Sequence, residues 1–188
     1  MSTASLDQRL RLKHGKEMES KIADSLKQCG LQVGKSSDRE DRLKKVDRWL
    51  MQNGTKIPLQ IKFRESGDDL LFEVFDTFHG WNDHKNKIGR DMEGIAELYA
   101  VLMRDGKTII MVPTQPAKDV INEMLCEVRR SGWGSKSYTG ATLTYRADGC
   151  NLTLKLQMDP FDGRSKMIAY IPQEYFAKQA QTKSYRMF

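Results

Sequence analysis

Four residues with complementary chemistry stand in order along the first third of the chain: Glu19, Asp47, Gln60 and Lys62. From Lys45 to Glu65 the sequence reads KVDRWLMQNGTKIPLQIKFRE. It places an acid on a short apolar segment, a turn signal at Asn53-Gly54, and then a strand carrying Gln60 and Lys62 on one face by strict alternation. An acid, an amide and a lysine held together on a β-hairpin suit Mg²⁺-dependent phosphodiester cleavage. Carboxylate and amide oxygens are the hard donors that this cation prefers, and an ammonium can orient or deprotonate the attacking water or offset charge developing at phosphorus. Glu19 lies on or beside the inward stripe of a helix, where a carboxylate needs either a basic partner or a metal.

Each residue also has a plainer reading. Glu19 can pair with a lysine one turn away, Asp47 can be a strand-end acid facing water, and Gln60 with Lys62 can form the solvated side of a half-buried strand. Their joint order and spacing favour the chemical reading.

The elements that must position them follow from periodicity. Met18, Ile22, Leu26 and Cys29 recur at helical spacing over about Leu6 to Cys29, and Gly30 supplies a stop. Leu31 to Val33 reads as a short extended piece, and the polar run Gly34 to Lys45 as a mobile loop. Val46 to Met51 and Lys56 to Arg64 read as paired strands. In the second, Ile57, Leu59, Ile61 and Phe63 face one way, with Pro58, Gln60, Lys62 and Arg64 the other. Leu70 to Phe75 is a third strand, His79 to Arg90 a polar loop, and Asp91 to Glu97 a short helix. Leu98 to Met103 and Thr108 to Val112 form a hairpin, and Pro116 opens a helix over Gln115 to Arg129. Gly- and Ser-rich Trp133 to Tyr138 marks a boundary. Strands over Ala141 to Tyr145, Asn151 to Gln157 and Met167 to Ile171 follow, then a frayed basic tail.

With 188 residues and 39% hydrophobic content, the chain can build one α/β domain with an elaboration. No segment has the apolar length of a membrane span or the core of a secretory signal, so a soluble cytoplasmic protein is expected. Cys29, Cys126 and Cys150 are widely spaced and form no C-x-x-C pair, which speaks against a disulfide framework or a zinc ribbon. The absence of a Walker-type loop argues against ATP hydrolysis and a nucleotide cofactor. A net charge of +6 favours a polyanionic partner. Basic residues gather at Arg9, Arg11, Lys13, His14 and Lys16, and again at Arg39, Arg42, Lys44, Lys45 and Arg48.

Gly15-x-x-x-Glu19, Leu26, Gly30, Asp47 and Gln60-Ile61-Lys62 together resemble the PD-(D/E)xK nuclease superfamily. The layout from Gly15 to about Val112 is similar to archaeal-type Holliday junction resolvases, and Gln60-x-Lys62 resembles the Q-x-K of Mrr-type restriction endonucleases. The resemblance implies a restriction-endonuclease-like mixed central β-sheet flanked by helices, occupying residues 1–132 with a basic N-terminal helix. The resemblance does not cover the region after Trp133, where the residue pattern predicts a C-terminal α+β extension at 133–188, β-rich, packed on the core and ending in a basic tail. The resemblance also implies a Mg²⁺-dependent DNA endonuclease, with Mn²⁺ as a substitute metal and a role in DNA repair or recombination. Catalysis would fall to Glu19, Asp47, Gln60 and Lys62. The metal would be held by Glu19, Asp47, Gln60 and the main-chain oxygen of Ile61, and DNA would be contacted by Ser36, Ser37, Lys45, Arg48 and Arg64. DNA is thus the expected partner, and resolvases of this layout act as homodimers. Because Gln60 stands where most of the superfamily has an acid, a non-catalytic DNA-binding module is the competing expectation.

His79, Asp83 and His84 in FHGWNDH match no zinc-site spacing and read as a polar loop. Trp81 and Trp133 are candidates for stacking on unpaired bases or for plugging a core edge.

Overall fold

A computed structural model of the chain describes residues 3–44, 46–64, 69–133, 140–159, 163–178 and 183–187. In chain order the elements begin with α1 (Thr3–Gln28), β1 (Gln32–Lys35), α2 (Asp38–Lys44), β2 (Arg48–Gln52) and β3 (Thr55–Lys62). Next come β4 (Asp69–Thr77), β5 (Lys87–Ile88), α3 (Arg90–Glu93), β6 (Leu98–Leu102), β7 (Thr108–Pro113) and α4 (Gln115–Arg130). The remainder is β8 (Thr142–Ala147), β9 (Cys150–Met158), β10 (Ser165–Pro172), α5 (Gln173–Ala177) and β11 (Lys183–Arg186). They form an α/β protein of two units: one from 1–65, 96–112 and 183–188, the other from 66–95 and 113–182.

The first unit holds a six-stranded sheet in the order β1-β2-β3-β6-β7-β11. Strands β1, β2 and β3 pair antiparallel, whereas β3 and β6 pair in parallel, so the sheet is mixed. Helix α1 buries Ile22, Ala23 and Leu26 against Leu50, Leu59, Ile61, Ala100 and Met111, the single apolar stripe that its spacing predicts. The helix ends in a Schellman arrangement: Gly30 N–H donates to the Lys27 carbonyl, Leu31 N–H donates to the Leu26 carbonyl, and Gly30 has φ +87°. Leu31 and Leu26 then belong to the same apolar cluster, which fixes where β1 departs. At the β2–β3 turn Asn53 and Gly54 both have positive φ, +51° and +78°, as a two-residue hairpin turn requires.

Two expectations fail in this unit. The run Gly34 to Lys45 is not one loop, because it contains the last two residues of β1 and all of α2. The cause is a reciprocal cap. Ser37 N–H and Oγ both bond to the Glu40 carboxylate, at 2.9 and 3.0 Å, while Glu40 N–H donates to Ser37 Oγ at 3.2 Å. These bonds hold the Glu40 carboxyl below its ordinary value, the Ser37 N–H first and its hydroxyl next. Their support for α2 is therefore complete above the unfolded glutamate value of about 4.3 and lost as pH falls through the lower folded value. Ser37→Ala is expected to cost about 1 kcal/mol, as losing an N-cap does. In that variant the acid-induced change in the Glu40 amide resonance should move toward the pH of a free glutamate. The second failure is the end of the C-terminal tail, which is not frayed here: β11 pairs antiparallel with β7, from Lys183 opposite Met111 to Arg186 opposite Thr108.

The second unit holds an antiparallel five-stranded sheet in the order β5-β4-β10-β9-β8. Alternate residues of its strands are buried: Leu70, Phe72 and Val74 on β4, Leu152, Leu154 and Leu156 on β9, and Met167, Ala169 and Ile171 on β10. Helix α4 contributes Ala117, Val120, Ile121, Met124 and Val128 as one buried stripe. The short helix expected over Asp91 to Glu97 ends already at Glu93. Just before it, Gly89 donates its N–H to the Val74 carbonyl, and a Cβ at that position would overlap the Glu73 main chain. Gly89→Ala is expected to detach β5 from β4 at a cost of about 2 kcal/mol or more, because backbone atoms must move. Loss of amide-exchange protection at Gly89 would register it.

Around the β9–β10 connection Lys166 meets three carboxylates: Asp159 at 3.0 Å, Glu73 at 3.2 Å and Asp76 at 3.5 Å. Arg164 also pairs with Asp76. Burial alone would push the Lys166 ammonium down, but the hydrogen bond to Asp159 and the charge of Glu73 outweigh it and raise the pKa. No described helix is long and apolar enough to cross a membrane.

Candidate active site

Asp47 sits at the bend before β2 and is 4% exposed, so the strand expected from Val46 begins only after it. It is held from several sides. Its Oδ2 accepts the Ile61 N–H at 2.8 Å, and its own N–H donates to the Leu59 carbonyl at 3.1 Å. Its carbonyl accepts from Ser36 Oγ and from an Arg48 guanidinium nitrogen, each at 2.8 Å. These bonds fix the carboxylate against the strand that carries Gln60 and Lys62. The ladder of β2 with β3 ends at Arg48 opposite Leu59, and Asp47 stands directly before it, bonded to the main chain of β3 at both Leu59 and Ile61.

The alternation on β3 is as the sequence implies, with Ile57, Leu59, Ile61 and Phe63 gathered on the α1 side. Its polar side is not a solvated face, however, since Gln60 is only 4% exposed and Pro58 is buried. Strand β3 is central, with β2 on one edge and β6 on the other, and Gln60 pairs with fully buried Tyr99. An amide in such a place needs polar company, which a surface position would not demand. Lys62 is half-buried, and its ammonium lies 5.7 Å from the centre of the Tyr99 ring.

Glu19 and Asp47 line one cleft of about 110 Å³ with Lys16, Ser20, Lys35, Ser36, Asp38, Asp41 and Arg48. Four carboxylates and three basic side chains thus surround it. Arg48 also reaches Ser20 Oγ at 3.4 Å, tying β2 to α1. Gln60 and Lys62 do not line this cleft. Ser36, buried, supports the Asp47 carbonyl, and Ser37 caps α2. Arg64 is half-buried just beyond β3. Lys45 and the side chains of Arg9, Arg11 and Arg42 lie outside the described residues, as do residues 134–139 of the Gly- and Ser-rich stretch. Asp38, Asp41 and Lys35 are additions that periodicity does not reveal. The signal for the two acids is Ser37-x-x-Glu40, which starts a helix and puts residues three apart on one face.

Among the described residues no three His, Cys, Asp or Glu side chains are grouped to hold a metal ion. The Glu19 and Asp47 carboxylates that share the cleft are hard oxygen donors of the kind Mg²⁺ takes together with several waters, whereas the Gln60 amide is not part of its lining. Comparison of the chain with protein-family models, curated proteins and solved structures gave no match.

Proposed function

We propose that this protein is a Mg²⁺-dependent DNA endonuclease of the PD-(D/E)xK type, with its first unit as a restriction-endonuclease-like core. The observation that carries the reading is the bond from Ile61 N–H to the Asp47 carboxylate, which fastens the acid beside Gln60 and Lys62. The shared cleft adds Glu19. A mixed sheet with α1 on one face is compatible with such a core.

In this reading Asp47 and Glu19 would hold the ion, with the Gln60 amide oxygen and the Ile61 main-chain oxygen as further donors. When bound, Mg²⁺ polarises the scissile phosphate as a Lewis acid. Lys62 orients the attacking water and offsets negative charge that grows at phosphorus as the P–O bond to the leaving strand breaks. Ser36 and Arg48, by holding the Asp47 carbonyl, keep its carboxylate in place. The substrate is DNA, branched DNA of the Holliday-junction kind in the resolvase-like version, with a homodimer acting in repair or recombination. Incubation with junction, flap, single-stranded and linear duplex DNA in Mg²⁺ or Mn²⁺ tests this. Cleavage of none of them rejects the nuclease reading.

One observation favours a second reading, a DNA-binding module with a degenerate site. Gln60 and Lys62 stand outside the cleft lining, and no larger metal-binding group is present among the described residues. Calorimetry with Mn²⁺ separates the two: a nuclease binds the ion and loses it with Asp47→Ala, and a pure binder shows no heat in either case.

A further inference from the structure

The segment His79 to Asn86 is braced into a defined wall. Asn86 accepts the His79 N–H through Oδ1 at 2.8 Å and donates through Nδ2 to the Gly80 carbonyl at 2.6 Å, while Asp83 accepts the Lys85 N–H at 2.8 Å. With Arg129 and Gly132 this wall encloses a cleft of about 510 Å³, lined also by Trp81, Asn82 and Asp83 and lying wholly within the second unit. Small-ligand sites span roughly 300–1,000 Å³, so the space admits a nucleotide.

The lining divides by chemistry. Trp81 is half-buried, and its indole meets Phe75 and Phe78 at steep angles, with ring centres 6.4 and 5.3 Å away. Its indole N–H is already given to the Trp133 carbonyl, so what it offers the cleft is carbon π-surface in a fixed orientation. Arg129, bonded at 3.3 Å to Asn82 Oδ1, supplies a permanent cation, and His79 stands on the same lining. The Asp83 carboxylate, kept ionised chiefly by the Lys85 N–H, would repel a phosphate but accept N–H groups from a base edge.

We propose that this cleft binds an unpaired nucleotide, with the base stacked on Trp81 and read at its edge by Asp83, and the phosphate paired with Arg129 and His79. The site is separate from the Asp47 cleft and does not depend on metal, so it is tested in EDTA, where nuclease activity has no bearing. Titration calorimetry would compare a 5′-deoxynucleoside monophosphate, ribose 5-phosphate, a single-stranded hexamer and a hairpin duplex. Saturable binding of the monophosphate or the hexamer is expected, with ribose 5-phosphate and the duplex weaker by about tenfold or more, the scale of one base–aromatic stack. Preference for the monophosphate marks a free nucleotide as the ligand, and preference for the hexamer marks unpaired DNA. Arg129→Gln, at an exposed position that leaves the aromatic cluster intact, should weaken binding by about tenfold. Trp81→Phe should retain folding while weakening the stack. Absence of saturable binding, equal binding of ribose 5-phosphate, or undiminished binding by Arg129→Gln would each overturn the proposal.

Discussion

Asp47→Asn is expected to slow Mg²⁺-dependent DNA cleavage by about 10³-fold or more while leaving the melting temperature close to that of the parent. The scale is that of removing one charge-stabilising group from a preorganised site. The side chain has two separable duties. Its oxygen accepts the Ile61 N–H, and its negative charge would hold the cation. Asparagine keeps an oxygen that can accept the bond and loses the charge. Asp47→Ala loses both, and Ile61, only 6% exposed, is left with an N–H lacking its acceptor. That should cost about 1–3 kcal/mol. Plasmid nicking assays beside thermal melts for both variants separate the duties. Cleavage by Asp47→Asn at the parental rate would remove this residue from the chemistry.

The larger effect on stability should come from the other unit. Lys166→Met leaves Glu73, Asp76 and Asp159 without their shared cation, and breaking a poorly solvated ion pair by removing one partner costs about 3–5 kcal/mol. The Lys166 side chain is 15% exposed, so solvent screens this network little. Arg164, still paired with Asp76, keeps the loss toward the lower end of that range. Denaturant unfolding followed by fluorescence in a Trp49→Phe background, where Trp81 and Trp133 remain, reports on this unit. The sign with pH follows from the raised lysine pKa. The stabilisation is complete below the unfolded value of about 10.4 and disappears as pH climbs through the higher folded value. The parent should therefore lose stability in strong alkali from this source, and Lys166→Met should lack that component. A loss below about 1 kcal/mol would show the cluster to be as weak as an exposed ion pair.

The features most legible in the sequence are those whose cause is local. The α1 stripe of Met18, Ile22 and Leu26, the Gly30 stop, the Asn53-Gly54 turn and the alternation of β3 all follow from neighbouring residues. The α2 helix was legible too, through Ser37-x-x-Glu40, but its charged, apolar-poor sequence masks it to any search for a hydrophobic period. Burial of Gln60 was not legible, because it depends on β6, which joins β3 only after the chain has built β4, β5 and α3 in the other unit. Nor was β11, whose KSYR sequence becomes a strand through pairing with β7. For the candidate site, order along the chain singled out Glu19 and Asp47, which share a cleft. Asp38 and Asp41 reach that cleft only because a cap turns a polar run into a helix.

Strand β11 closes the six-stranded sheet and brings Tyr185 and Met187 against the same apolar cluster as α1. The unit that carries Asp47 therefore cannot finish folding on the ribosome until residues 183–187 have emerged, after residues 66–95 and 113–182 of the other unit are all available to form its core. Until then the β7 edge stays open to pairing with another chain. Expression conditions that slow synthesis, or truncations that remove this short strand, should thus be felt at a site more than a hundred residues upstream, first as aggregation and only then as lost activity.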